Sequence, residues 1–367
     1  MPPSQVIVLA MPVFLALIGL EWWWGRRRGR DTYRLNDALG SLALGVISQV
    51  LPQLLRFTVY TAVWSQAALF ALPADAWWVW LLAALGYDFC YYWLHRAGHR
   101  VAIFWAAHAV HHQSEEYNLS TALRQTGSGW LLGWLAYLPL AVLGVPPLVF
   151  LTVGLVDLLY QFWVHTRQIG RLGWFDRWFC SPSTHRVHHA VNDRYLDCNY
   201  GGVLMVWDRL FGTFIEEDDE EAIVYGTRTP LASWDPWHAN TVVYAERWRL
   251  MRHARGWREH LAVWLAPPDW RPAAAPPAAP FVLQRQAYDP AWSRGRQGLA
   301  LACFAALLAG MAAWLWQAHA LSALPLWGGA AALLLGAWLV GWSCTPSASG
   351  AGLAAEPAQP SNRSPAR

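Results

Sequence analysis

Nine of the thirteen histidines crowd into three short motifs and one nearby position. His95 and His99 are spaced HxxxH, His108, His111 and His112 form HxxHH, and His185, His188 and His189 form a second HxxHH, with His165 alone between the two. On an α-helix, residues three or four apart share a face, so each motif can aim two or three imidazoles at one point. That is a chelating arrangement. A single HxxHH arises by chance in roughly one or two of a hundred chains of this histidine content, so two of them with an HxxxH are not accidental. Neutral imidazole suits iron, zinc, copper and nickel, and ligand type alone does not choose among them. Ligand number does more: a structural zinc takes four ligands and a catalytic zinc three, whereas nine nitrogens supply two ions with positions left open for oxygen. No carboxylate stands inside the motifs, unlike the Glu-x-x-His pairs of soluble di-iron bundles. The pattern therefore predicts two Fe ions held by His95, His99, His108, His111, His112, His165, His185, His188 and His189, in a membrane-bound non-haem iron enzyme. His238, His253, His260 and His319 read as solvated or capping residues.

Groups beside the ligands should hold their rings. Asp88 lies seven residues before His95, two turns earlier on the same helical face, which makes it a candidate to orient that ring; it also reads as an interfacial acid paired with Arg96. Glu115, Glu116 and Asn118 follow the second motif closely enough to be polar neighbours of the metals, and Asp88, Glu116 and Asn118 are the candidate catalytic positions. Each acid alone would equally suit the surface. The acidic run 216–221 reads as a solvated loop.

The elements that must carry these residues are helical and apolar. Of 367 residues, 55% are hydrophobic, and mean hydropathy is positive, which predicts an all-α integral membrane protein, a multi-span helical bundle. Candidate membrane segments are 6–24, 38–64, 77–94, the short pair 130–143 and 146–163 joined by Pro146-Pro147, then 299–316 and 324–340. Many of the 27 tryptophans flank these runs, as indoles do at the headgroup level. Residues 6–24 are long enough to span and lead straight into Arg26, Arg27, Arg28 and Arg30, so they read as an anchor and not a cleaved leader. Those arginines are cytoplasmic by the positive-inside rule, which places every histidine motif on the cytoplasmic side. The chain divides into membrane spans at 1–76, a histidine-box region at 77–230, a cytoplasmic segment with a Pro/Ala-rich connector at 231–298, spans at 299–343 and a disordered tail at 344–367. All 27 basic residues are arginine and the net charge is only +3, so nucleic acid is not an expected partner. Five cysteines without a CxxC read as free thiols. Arginine without lysine, with abundant alanine, hints at a GC-rich bacterial gene and an inner-membrane location; a eukaryotic chain would lie in the endoplasmic reticulum.

The stretches YYWLHRAGH ending at His99, FWAAHAVHHQSEEYNLSTALRQ from Phe104, LLYQFWVHT from Leu158 and SPSTHRVHHAVNDRYLDCNYGGVLMVWDRLFGTF from Ser181 resemble the fatty acid hydroxylase and sterol desaturase superfamily. HQSEEYNLSTALRQ and NYGGVLMVWDRLFGTF favour its ether-lipid branch. The resemblance implies cleavage of the ether bond of an alkylglycerol by O2 and a reduced pterin, tetrahydrobiopterin, to fatty aldehyde and glycerol. Two positions depart from similar enzymes. Thr184 stands where they carry a histidine, and Arg100 follows His99 where animal members place an acid, which puts the pterin in question and leaves a redox protein as the other electron donor. Tyr117 and Arg124 are candidates for the lipid headgroup. A desaturase or hydroxylase of fatty acids, sterols or carotenoids would carry the same motifs, because spacing fixes the metals and not the fate of the substrate. A membrane metal transporter would place its site near the bilayer midplane, with intramembrane acids; here the motifs fall at span ends.

Overall fold

A backbone removed from water must satisfy its polar groups within its own segment, so apolar runs of this length fold as helices. The computed structural model describes residues 2–55, 59–283 and 286–345, and among them extended pairing is limited to two isolated bridges, Phe179 with Leu204 and Ala190 with Tyr225. Arg56 and the tail from 346 lie outside the described residues. The helices are α1 (Pro3–Arg27), α2 (Leu35–Leu55), α3 (Val59–Ala67), α4 (Trp77–Arg100), α5 (Ala102–His112), α6 (Leu119–Ala122), α7 (Trp130–Gly133), α8 (Leu138–Leu143), α9 (Pro147–Trp163), α10 (Trp174–Trp178), α11 (Pro182–His188), α12 (Val206–Leu210), α13 (Pro236–Met251), α14 (Gly256–Leu265), α15 (Arg294–Gln317) and α16 (Ala323–Cys344).

Among the described residues three helices are long and apolar enough to cross a membrane, Ser4–Arg27, Arg294–Gln317 and Ala323–Cys344, and Leu35–Leu54 with Val59–Ala67 would count as a fourth if the two form one span. This is fewer than the seven candidate segments, of which 130–143 and 146–163 read equally as two spans, as a hairpin dipping in from one face or as a buried pair. Helix α4 falls short because it buries a polar row, Asp88, Tyr92, His95 and His99, inside the protein, and the segments at 130–143 and 147–163 are short apolar helices. Local signals set the ends. Pro147 opens α9 from an extended Pro146, as suits a residue with no N–H to satisfy. Arg26 and Arg27 close α1, where cations complement the helix dipole, and lie 5.4 Å and 4.9 Å from the Trp22 and Trp23 rings.

Two apolar cores flank the middle of the chain. One joins α2 to the α15–α16 hairpin through Leu39, Leu44, Leu307, Trp314 and Leu333, with Trp314 Nε1 donating to the Leu326 carbonyl at 3.0 Å. The other joins α3, α4, α8 and α9, where the Tyr60 and Phe150 rings stack at 3.9 Å. Gly144 ends α8 in the left-handed region at φ +96°, and a Cβ there would sit 1.9 Å from the Phe70 carbonyl oxygen, so only glycine fits this turn. α4, of the second core, and α5, whose Val110 joins the first, pack on each other, with α9 against α4 and α13 against α5.

Candidate metal centre

The nine clustered histidines meet in two groups. His95, His99, His108, His112 and His188 form one, His111, His165, His185 and His189 the other, and within each group the ligand nitrogens lie within 4.8 Å of one another. Neither group is the product of a single motif. On a helix, residue i+4 points about 40° from residue i, whereas i+3 points about 60° to the other side. In α5, His108 and His112 accordingly share the five-histidine group and His111 turns to the other. In α11 the roles are exchanged: His185 and His189 serve the four-histidine group while His188 crosses over. His95 and His99, in the last two turns of α4, complete one group, and His165, just past the end of α9, completes the other.

Local caps aim these short helices. α11 begins with Pro182 and a reciprocal cap: Ser181 Oγ accepts from Thr184 N at 3.3 Å, and Ser181 N donates to Thr184 Oγ1 at 2.9 Å. The threonine that departs from similar enzymes is thus half of the cap. Asn118 caps α6, accepting from Ser120 N at 3.0 Å and donating to the Thr32 carbonyl at 2.6 Å. The chain folds tightly around Gly202, where a Cβ would meet the Tyr91 ring at 2.8 Å.

The outer ring nitrogens show that the site fits metal. Nδ1 of His95 lies 2.9 Å from the Tyr200 carbonyl oxygen, that of His111 2.9 Å from Arg124's, that of His165 2.8 Å from Gln161's and that of His188 3.0 Å from Cys198's. A carbonyl can only accept, so each Nδ1 carries the proton and each Nε2 of a neutral ring presents a bare lone pair. Yet Nε2 of His111 and Nε2 of His165 are 3.1 Å apart, with no proton to share, and the buried Nε2 atoms of His99 and His188 have no hydrogen-bond partner. Converging lone pairs of this kind are stabilised by a cation between them. Burial also keeps the rings neutral. It pushes the His111 imidazole down to about 4, and it holds His108, His112, His165, His185, His188 and His189 well below the ordinary histidine range, with neighbouring imidazoles adding to the effect.

The other candidate residues stand one layer back. The Asp88 carboxylate accepts from Val203 N at 2.8 Å, Leu204 N at 3.2 Å and Trp207 Nε1 at 2.8 Å, while His95 Nδ1, which it was a candidate to orient, faces the Tyr200 carbonyl. Asp88 therefore bears on His95 through the 200–208 loop. Asp208 staples the same loop, accepting from Tyr200 N and Gly201 N, each at 2.7 Å. Glu116 pairs with Arg34 at 2.7 Å, and Glu115 accepts from Tyr288 N at 2.7 Å. Arg124 is buried, donating to the Val110 carbonyl at 2.7 Å. Tyr117 is fully buried, donating to the Val164 carbonyl at 2.9 Å, with its ring stacked on Tyr225. Both serve the frame of the histidines. The acidic run is a strip of counter-charge: Glu217 takes two bonds from Arg186 at 2.9 Å and 2.6 Å, and Asp218 and Asp219 pair with Arg194 and Arg171. The carbonyls of Gln161, Arg124, Cys198 and Tyr200 were invisible beforehand; the only signal was the turn-forming composition of 197–202, DCNYGG.

An apolar cavity of about 570 Å³ lies between α4 and the 130–143 segment, lined by residues that include Gly86, Trp93, Ala97, Phe104, Leu135 and Leu143. Trp93 and Ala97 are on the face of α4 opposite His95 and His99, and no histidine lines it.

The family model for fatty acid hydroxylase matches residues 80–213. The chain is 38% identical over 310 residues to alkylglycerol monooxygenase of Danio rerio, covering 82% of this chain and 68% of that protein. It is 41% identical over 271 residues to the Homo sapiens alkylglycerol monooxygenase, covering 72% and 59% of the two chains, and 38% identical over 280 residues to the Xenopus tropicalis one, covering 74% and 61%. The chain thus spans about three fifths of the length of the latter two. No solved structure matches it.

Proposed function

The chain belongs to the alkylglycerol monooxygenase family of fatty acid hydroxylases, and from that premise we propose that it hydroxylates the carbon next to the ether oxygen of an alkylglycerol. One atom of O2 enters the C–H bond and the other leaves as water, with two electrons and two protons drawn from a reduced pterin or a redox protein. The hydroxylated carbon then expels glycerol, leaving a fatty aldehyde. Family membership makes the chain an oxidoreductase of the monooxygenase type.

The observation that carries this reading is the division of the nine histidines into groups of five and four with their bare Nε2 atoms converging. We assign an iron ion to each group; iron would supply the means to activate O2. The residues of the chain do the rest. Nine neutral imidazoles bind without adding negative charge, and the Nδ1 partners fix the rings before substrate arrives. Burial of the histidines, with the Tyr117 ring against His165 and His189 and backed by Tyr225, keeps bulk water from the reacting carbon. The apolar helices would hold the alkyl chain, and the arginines that close α1 support a cytoplasmic orientation of the site.

The test is to purify the protein in detergent, count iron per chain, and assay fatty aldehyde from an alkylglycerol under O2 with tetrahydrobiopterin or with a ferredoxin system. Two irons and donor-dependent aldehyde are expected. Two irons without aldehyde under either donor would move the substrate to another lipid, and a folded, iron-exposed protein that retains no iron would sink the metal assignment.

A further inference from the structure

Residues 197–200 bear on three of the five histidines in the larger group. Cys198 and Tyr200 supply the carbonyls that face Nδ1 of His188 and His95. Between these contacts the backbone takes an unusual path: Asp197 and Asn199 both occupy the left-handed region, at φ 58° and 55°, which Asp and Asn tolerate better than other residues with a Cβ. The cost is offset by the buried Asn199 side chain, which donates to the Thr184 carbonyl at 3.0 Å and the Ile215 carbonyl at 2.8 Å and accepts from Ile215 N at 2.9 Å.

This path delivers the Asp197 carboxylate to His99. Asp197 Oδ1 is 3.5 Å from His99 Nδ1, while its Oδ2 accepts from Arg100 Nη1 at 2.8 Å. His99 is the one ligand with a recorded ion-pair contact to a carboxylate among the described residues. Its Nε2 is buried and lacks a protein partner. A carboxylate on Nδ1 fixes the tautomer that frees Nε2 and makes the ring a stronger donor to metal than a carbonyl does. Arg100, the residue after His99, keeps that carboxylate charged and aimed. We infer that Asp197, braced by Arg100, is a positioning residue for His99 and sets the metal affinity of the five-histidine group. The inference rests on the metal assignment above.

Asp197→Asn is the informative variant, because asparagine keeps the left-handed backbone and removes only the charge. Apo-protein in detergent would be titrated anaerobically with Fe(II), and separately loaded with Co(II) for its visible spectrum, beside wild type and His99→Ala. The expected result is an unchanged apo melting temperature, a loss of about 10–100-fold in affinity for one of two ions, and a shifted Co(II) spectrum. The other ion should bind as in wild type. Wild-type affinity for both ions with an unshifted spectrum would overturn the inference, as would a lowered apo melting temperature with both ions lost, which marks a purely structural role. Wild type that takes up neither metal would instead remove the assignment beneath it.

Discussion

The rings of His112 and His189, each the last histidine of its HxxHH motif, stack with centroids 4.3 Å apart and planes 21° from parallel. His112 belongs to the five-histidine group and His189 to the four-histidine group, so the two groups touch through this stack, as they do through the stacked rings of His185 and His188.

Substitutions should therefore sort by group and not by motif. His188→Ala should weaken the same ion as His108→Ala, and His111→Ala the same ion as His185→Ala, each by more than about 100-fold, with the other ion retained. Anaerobic Fe(II) titration of the four variants reads this directly. Sorting by motif would refute the division.

Asp88→Ala removes an acceptor shared by Val203 N, Leu204 N and Trp207 Nε1. Leaving part-buried donors without a partner should cost about 2–4 kcal/mol. Because the same loop carries the Tyr200 carbonyl, iron occupancy should fall as well. Unfolding in detergent and metal analysis would be run together; unchanged stability with full occupancy would contradict the stapling role.

Asn118→Ala should cost about 1 kcal/mol, the usual worth of a helix cap, and leave iron content unaltered. A variant of wild-type stability and full iron content that turns over no lipid would instead place Asn118 at the substrate.

Arg186→Met strands Glu217 and frees the Thr166 and Ile169 carbonyls, which accept from Arg186 Nη1 at 3.1 Å and 2.7 Å. Breaking a buried pair from one side costs about 3–5 kcal/mol, so a clear drop in melting temperature is expected. Arg186→Met with Glu217→Gln should recover part of it.

Acid should destabilise the apo-protein. Above the ordinary histidine value of 6.5 both folded and unfolded chains hold neutral imidazoles, and pH has no leverage through them. Below 6.5 the unfolded chain takes up protons that these buried rings refuse, so stability falls as pH falls, through about 4 for His111 and further for His108, His112, His165, His185, His188 and His189. Melting of apo-protein between pH 7 and pH 4, on the order of the window these groups define, should decline steadily, and bound metal should reduce the decline. A flat profile would show that the rings are not held neutral.

Much of the site was readable from side-chain chemistry. Eight of the nine histidines that come together were marked by type and spacing, since the helical repeat decides which residues share a face, whereas His165 was marked by its type alone. The apolar runs 299–316 and 324–340 likewise dictated helices long enough to cross a membrane, which the structure extends to Arg294–Gln317 and Ala323–Cys344. Other features depended on long-range packing. Asp88 lies on the correct face of α4, but whether its carboxylate meets His95 or the 203–207 loop depends on where a segment more than a hundred residues away comes to rest. Thr184 gave no sign that it would cap α11.

The sequence by itself determined the histidine motifs, the helical class and the membrane setting, because each follows from local periodicity and hydropathy. Only the tertiary structure decided how nine ligands divide between two groups and what holds each ring. A residue's position fixes its direction about its own helix axis; which histidine group that direction reaches depends on how α4, α5, α9 and α11 are set against one another. The carbonyls of Gln161, Arg124, Cys198 and Tyr200 that face the imidazoles are chemically the same as every other carbonyl in the chain, so only their placement in space gives them a role.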